Sequence, residues 1–388
     1  MGLQRVVVKT KSAANMAKES FKNIKPCVHG ADLLEAAEET GMKKEDILDF
    51  SSSVNPMGPS KKALKAVTES LDQIPSYPDS CATALRRAIA GHFKGITSAN
   101  VSVGNGSTEL IYLFAEAFTR KGDVAVVPAP SFGEYERALR RTGCKIKYVK
   151  LRNGFQAKPE AFERAMMNQT KIVCFCNPNN PTSILTPPKV LNEIMGNALK
   201  KGVLVFLDED FLEFVENGEK YSMIGRIKEY PNLFILRSFT KIYGLTGLRM
   251  GYGVASEQIT DILMNAKIPW NVNCLAQSAA IVALGDDAHL EKTLTLIKQE
   301  KAYLLRELTK FKALKVYPPE ANFLFIDIRK TGLTAAKLRA NMLQRGVLIR
   351  DCSSFAGIDE FHIRVAVKTR QENEKLLSAL KASLGYQD

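Results

Sequence analysis

The chain has 388 residues, 45% of them hydrophobic and 24% charged. At roughly 150 residues per domain it holds two to three domains with real cores, which excludes a single small module or a disordered chain. The net charge of +13 favours anionic ligands such as phosphorylated metabolites. Its basic residues are scattered in pairs such as Lys61-Lys62 and Arg140-Arg141, so solvated surface charge is expected and a nucleic-acid partner is not.

The seven cysteines include no C-x-x-C, and the four histidines lie far apart. No disulfide framework, metal centre or metal cofactor is therefore expected. No apolar run approaches the ~18 residues of a membrane span. Met1 to Lys25, with Val6-Val7-Val8, lacks a signal-peptide core. A cytoplasmic protein with reduced thiols and no membrane partner is the expectation.

Along the chain, helical patterns alternate with short apolar runs between about residues 60 and 285. The runs are 124–127, 172–176, 203–207, 233–236 and 250–255. This alternation predicts an α/β fold with a doubly wound, mostly parallel sheet. Past a boundary near Gly285-Asp286 comes an amphipathic stretch over 290–311, then strand-like 323–328, helix-like 335–345, and strand-like 347–350 and 362–367. These predict a smaller α+β unit.

Polar residues gather just beyond the apolar runs. Gly104-Asn-Gly-Ser-Thr108 opens a helical pattern, Asn177-Pro-Asn-Asn-Pro-Thr-Ser183 follows one strand, Asp208 ends another, and Ser238 to Lys241 follow a third. Strand carboxyl ends line the ligand crevice of an open α/β sheet, so these segments can share one site. Lys241, just past a buried strand, is placed for partial desolvation, which makes a neutral amine available for an imine. The plainer reading is a solvated loop lysine. Asp208 ends an apolar run and needs a cationic or donor partner; it is either a helix N-cap or the carboxylate that keeps a heteroaromatic ring nitrogen protonated. The glycine segment is either an ordinary turn or a phosphate cradle at a helix N-terminus, to which Ser238 and Arg249 would add a hydroxyl and a guanidinium.

Taken together and in this order, Tyr77-Pro-Asp, Gly-Asn-Gly-Ser-Thr-Glu, Asn-Pro-Asn-Asn-Pro-Thr-Ser, Leu-Asp-Glu-Asp-Phe and Ser-Phe-Thr-Lys…Gly-Leu-Arg resemble the fold-type-I pyridoxal-phosphate enzymes of the class I/II aminotransferase superfamily, from about His29 onward. The resemblance implies an N-terminal arm (1–57) partly packed on the small domain, a large cofactor domain (58–288) and a small C-terminal domain (289–388). It implies pyridoxal 5'-phosphate joined to Lys241, with Asp208 at the ring nitrogen, Asn180 at the ring oxygen and Phe132 stacked on the ring. Ser238, Arg249, Gly106 and Ser107 would hold the cofactor phosphate. Tyr77 would reach the cofactor phosphate of a neighbouring subunit in a homodimer. Arg364 would grip the substrate carboxylate, with Arg350, His29, Gly30 and Asn55 as further substrate contacts.

Three features lean toward the branch that decarboxylates L-threonine O-3-phosphate to (R)-1-aminopropan-2-yl phosphate and CO2 in cobalamin biosynthesis. They are His29-Gly30, the run from Leu348 to Gly357 around Arg350, and Phe211 where most aminotransferases have tyrosine. Histidinol-phosphate aminotransferase is the alternative, and an inert binding protein on the same fold is the non-enzyme alternative. The chain departs from the pattern at Ala31 and Asp32, where the decarboxylase has Gly-Asn, at Ser183 for the usual glycine, and at Asp210 for the usual alanine.

Overall fold

A computed structural model describes residues 16–22, 24–152 and 154–386; the Val6-Val7-Val8 run lies outside the described residues. In chain order the strands are β1 (Leu48–Asp49), β2 (Val101–Asn105), β3 (Val124–Ala129), β4 (Lys145–Lys150), β5 (Thr170–Cys176), β6 (Leu204–Asp208), β7 (Leu233–Ser238) and β8 (Met250–Ala255), followed by β9 (Lys315–Val316), β10 (Phe323–Asp327), β11 (Val347–Leu348), β12 (Arg350–Asp351) and β13 (His362–Ala366). Seven of them form one sheet in the order β2-β8-β7-β6-β5-β3-β4.

All neighbours in this sheet are parallel except β8, which runs antiparallel to both β2 and β7. Helices cover both faces, so the inner strands read as continuous apolar runs. Ile172, Cys174 and Phe206 face the helices Ser107–Phe118 and Gly133–Arg141, while Val173, Phe175 and Leu207 face the opposite side with Pro188–Lys200. Strand β4 sits at the sheet edge and carries Lys145, Lys147 and Lys150, a composition that discourages pairing with another chain.

The glycines of β8 bring two elements close. A Cβ on Gly251 would lie 2.4 Å from the Ser107 nitrogen, so the start of the helix Ser107–Phe118 rests directly on this strand. That contact fixes one wall of the site.

The carboxyl-terminal strands form an antiparallel sheet in the order β12-β13-β10-β9, with the helices Asp287–Thr309, Ala335–Leu343 and Arg370–Ser383 in the same part of the chain. The single run expected over 347–350 divides at Ile349: β11 pairs with β1, whereas β12 pairs with β13. The β1–β11 pairing ties the amino-terminal stretch to this unit. No helix among the described residues is long and apolar enough to cross a membrane.

Candidate active site

Lys241 occupies the turn after β7, where its carbonyl accepts hydrogen bonds from the Asn55 N–H (3.0 Å) and the Gly244 N–H (3.3 Å). A Cβ on Gly244, whose φ is +68°, would lie 2.6 Å from the Gly58 backbone, so this turn requires glycine. The lysine Nζ stands 5.7 Å from the centre of the Phe211 ring. Burial lowers its pKa; Arg364 and Arg249 act in the same sense, and Asp210 and Asp208 act against it. The shift is in the direction of the neutral, nucleophilic amine.

Asp208 ends β6, buried, and is pushed up to about 7 by burial first and then by the like charge of Asp210. It accepts hydrogen bonds from the Tyr135 hydroxyl (2.5 Å) and the Asp210 N–H (2.8 Å). A cation beside it would restore its ionised form, and the protonated nitrogen of a pyridine ring is such a cation.

Gly106, at φ +80°, precedes the helix Ser107–Phe118 without capping it through a side chain, which leaves the N–H groups of the first turn for an anion. A Cβ on Gly106 would lie 2.4 Å from Arg249 Nη2, so the guanidinium lies against the bare backbone. Ser238 and Thr240 share a hydroxyl–hydroxyl contact of 2.7 Å at the end of β7. Guanidinium, hydroxyls and N–H groups thus form the donor set that a cofactor phosphate needs.

On the other side a cavity of about 730 Å3 is lined by His29, Gly30, Phe132, Asn180, Arg350 and Arg364. Arg364 donates to Asn180 Oδ1 (2.6 Å) and the Ser51 carbonyl (2.8 Å). A guanidinium only donates, so Asn180 must present its oxygen to Arg364 and turn its NH2 away, free to donate to a ring oxygen. Arg364 Nε has no partner among the described residues, and burial lowers its pKa to about 10. Arg350 lies directly opposite Arg364 in the β12–β13 register. It donates to the carbonyls of Val28 (2.7 Å) and His29 (3.1 Å) and to the Ser354 hydroxyl (2.9 Å), leaving two of its five N–H groups.

The His-Gly segment meets the same centre. A Cβ on Gly30 would lie 2.5 Å from the Ser51 carbonyl, the oxygen that Arg364 also uses, and the Ala31 N–H donates to the Ser51 hydroxyl (2.8 Å). His29 contacts Glu134 at 2.9 Å. Asp32 faces away and caps the helix Leu33–Thr40, so it brings no charge to the cavity. Ser183 adopts φ +63° in the glycine's place, and its hydroxyl accepts from the Glu320 and Ala321 N–H groups.

Two of the expected residues do not line this cavity. The Asn55 amide donates to the Ile242 carbonyl (2.8 Å) and the Thr293 hydroxyl (2.9 Å), while its oxygen accepts from the Met57 N–H. It braces the lysine turn, its side chain taken up by these contacts rather than lining the cavity. Tyr77 is 79% exposed, stacked on Trp270 with ring centres 4.5 Å apart. Sequence reasoning missed Tyr135, Glu134 and Ser51. The first two follow Phe132 at the start of one helix, and that spacing was the available signal.

The family model for aminotransferase class I and II matches residues 45–380. The histidinol-phosphate aminotransferase of Moorella thermoacetica is 38% identical over 95% of this chain and 92% of its own. The threonine-phosphate decarboxylase of Salmonella typhimurium is 34% identical over 91% and 95%. Among solved structures, the histidinol-phosphate aminotransferase from Clostridium acetobutylicum superposes with a TM-score of 0.81 at 30% identity, covering 88% of this chain and 100% of its own. That from Sinorhizobium meliloti, solved with pyridoxal-5'-phosphate, has a TM-score of 0.84 over 97% and 98% at 21% identity, which speaks for the fold alone. Pyridoxal 5'-phosphate is the cofactor of the matched family, and the donors around Lys241 fit it. This chain is a pyridoxal-phosphate enzyme of the class I and II aminotransferases.

Proposed function

We propose that the enzyme transfers the amino group of a phosphorylated primary amine of the histidinol-phosphate class to an oxo acid. The observation that carries this reading is the pair Arg350 and Arg364, opposed in register at the cavity, with neutral hydrogen-bond partners. Two buried cations side by side repel, and a substrate phosphate or an oxo-acid carboxylate relieves that repulsion. Relatives named histidinol-phosphate aminotransferase recur at 31–38% identity, which moves the preference away from decarboxylation.

Bound pyridoxal phosphate takes up the electrons left when a bond to the substrate Cα breaks. The protein determines which bond breaks. Arg364 and Arg350 would fix the anionic end of the substrate, Phe132 would pack against the cofactor ring, and the Asn180 NH2 and the Asp208 carboxylate would hold its oxygen and nitrogen. Lys241, a depressed-pKa amine, takes a proton at Cα and returns it.

Decarboxylation of L-threonine O-3-phosphate is the second reading. Phe211, buried beneath Lys241 and without a hydroxyl, and the docked His29-Gly30 segment favour it. The deciding assay gives holoenzyme each substrate in turn. Oxo product from histidinol phosphate without CO2 release supports transamination; CO2 from threonine phosphate without amino transfer overturns it.

The same reading makes the working unit a homodimer, with Tyr77, exposed beside Trp270, free to reach the cofactor phosphate of a neighbouring subunit. A cytoplasmic setting fits the seven unpaired cysteines.

A further inference from the structure

Asp208, the carboxylate expected at the cofactor's ring nitrogen, must meet that nitrogen from a buried place. Burial and the like charge of Asp210 push its carboxyl up to about 7, while Lys241 acts in the opposite sense. A carboxylate so disposed to take a proton competes with the ring nitrogen for the one they share, and donors to its oxygens shift that proton toward the ring. Two donors are in place. The Asp210 N–H reaches Oδ1 (2.8 Å) and the Tyr135 hydroxyl reaches Oδ2 (2.5 Å). The first belongs to the backbone of the adjoining turn; the second is a side chain brought in from another element.

Tyr135 stands in the first turn of the helix Gly133–Arg141 and is buried. Its ring meets Phe132 edge-on, with centres 5.6 Å apart and planes at 84°, and leans on Phe206 at 5.9 Å. Phe132 is the ring expected against the cofactor's face, so a single side chain touches both the group at that face and the group at the nitrogen. Burial and the charge of Asp208 hold the Tyr135 phenol well above its ordinary pKa; it keeps its proton and donates it. Cys176 lies opposite Asp208 in the β5–β6 register, but its thiol donates to the Pro178 carbonyl (3.2 Å).

We propose that Tyr135 is a positioning residue that acts through Asp208: its hydroxyl, with the Asp210 N–H on the other oxygen, fixes the plane of the carboxylate and keeps the shared proton on the cofactor's ring nitrogen. The phenol's own proton stays on its oxygen throughout, and no covalent bond to Tyr135 forms or breaks. Phenylalanine in its place would keep the contacts with Phe132 and Phe206 and remove only the donor. Asp208 Oδ2 would then be buried without that hydrogen bond, the carboxylate would hold the proton more tightly, and the ring would lose positive charge.

This inference rests on Asp208 serving the ring nitrogen and not on which substrate is used, so its test needs no substrate. Wild type, Tyr135→Phe, Asp208→Asn and the double variant are loaded with pyridoxal phosphate carrying the heavy nitrogen isotope in its ring. The NMR shift of that nitrogen and the dissociation constant of the cofactor are read in each. In Tyr135→Phe the shift should move toward that of the unprotonated ring, and the dissociation constant should rise about tenfold or more, the loss of one hydrogen bond to a charged group. In the Asp208→Asn background the same change should leave the shift where it is and alter the constant by less than about twofold, as two residues that act as one unit require. A shift unmoved by Tyr135→Phe, or an equal loss of affinity in both backgrounds, overturns the inference alone, since packing and not the hydroxyl would then carry the effect. So does loss of folding in Tyr135→Phe, read by near-ultraviolet circular dichroism. A shift unmoved in Asp208→Asn removes Asp208 from the ring nitrogen and overturns that assignment and this inference together.

Discussion

Arg364 is a cation removed from water whose hydrogen bonds go to an amide oxygen and a backbone carbonyl. Each hydrogen bond to a charged group is worth about 1.5–3 kcal/mol, and lysine cannot reproduce the planar fork. Arg364→Lys is therefore expected to lower kcat/KM for an anionic substrate at least tenfold, with the cofactor still bound; an unchanged kcat/KM would place the substrate anion elsewhere. Asp208 makes a pH-dependent prediction. Its pKa rises from 3.8 to about 7 on folding, so the folded apoprotein binds a proton that the unfolded chain has released. The contribution of this group is fully present below pH about 4 and is lost as pH rises toward about 7. Melting curves of apoprotein should show wild type falling relative to Asp208→Asn across that window; a constant difference would mean that Asp208 stays ionised. At Gly106, alanine would meet the Arg249 guanidinium and a strained φ, a cost of about 1–3 kcal/mol. Gly106→Ala should weaken cofactor binding roughly tenfold or more, measured by equilibrium titration of the apoprotein.

At the scale of elements, the segment from Ile24 to Ala31 has little regular structure of its own and is attached by Arg350 to the carbonyls of Val28 and His29, by Cys27 and His29 to Glu134, and by Ala31 to Ser51. Burial works against ionisation of Glu134, but hydrogen bonds from His29, Tyr112 and Cys27 outweigh it and hold its pKa at about 2. This attachment is at full strength above pH about 4.5 and weakens as pH falls toward 2. At neutral pH, Glu134→Gln should speed amide hydrogen exchange in residues 27–31 about tenfold or more, and unchanged protection would mean that Arg350 alone suffices. The inner strands of the large sheet were legible because burial on both faces leaves an unbroken apolar run. Two others were not. Lys145–Lys150 carries its edge position in its lysines and so reads as surface, and nothing in an apolar run such as Met250–Ala255 states that it is antiparallel. The site motifs were legible because each sits just past a strand or at a helix start. Asn55 was not, since its role depends on Thr293 and Ile242, partners distant in sequence.

At the scale of the molecule, the two sheets and the amino-terminal segment enclose one cavity between them. Sequence motifs named candidates for both walls, whereas the placing of Arg350 directly against Arg364 emerged only from the strand register. Tyr77 lies away from that cavity. Because it is exposed, Tyr77→Ala should change the melting temperature of the apoprotein little yet weaken cofactor retention, and equal retention would remove the residue from any partner's site. The opposed arginines have a practical consequence. A protein that keeps two cations in enforced proximity is stabilised by whatever small anion settles between them, in proportion to the logarithm of its concentration. Phosphate or sulfate in a storage buffer would then lengthen the enzyme's shelf life and, in the assay cuvette, compete with its substrate.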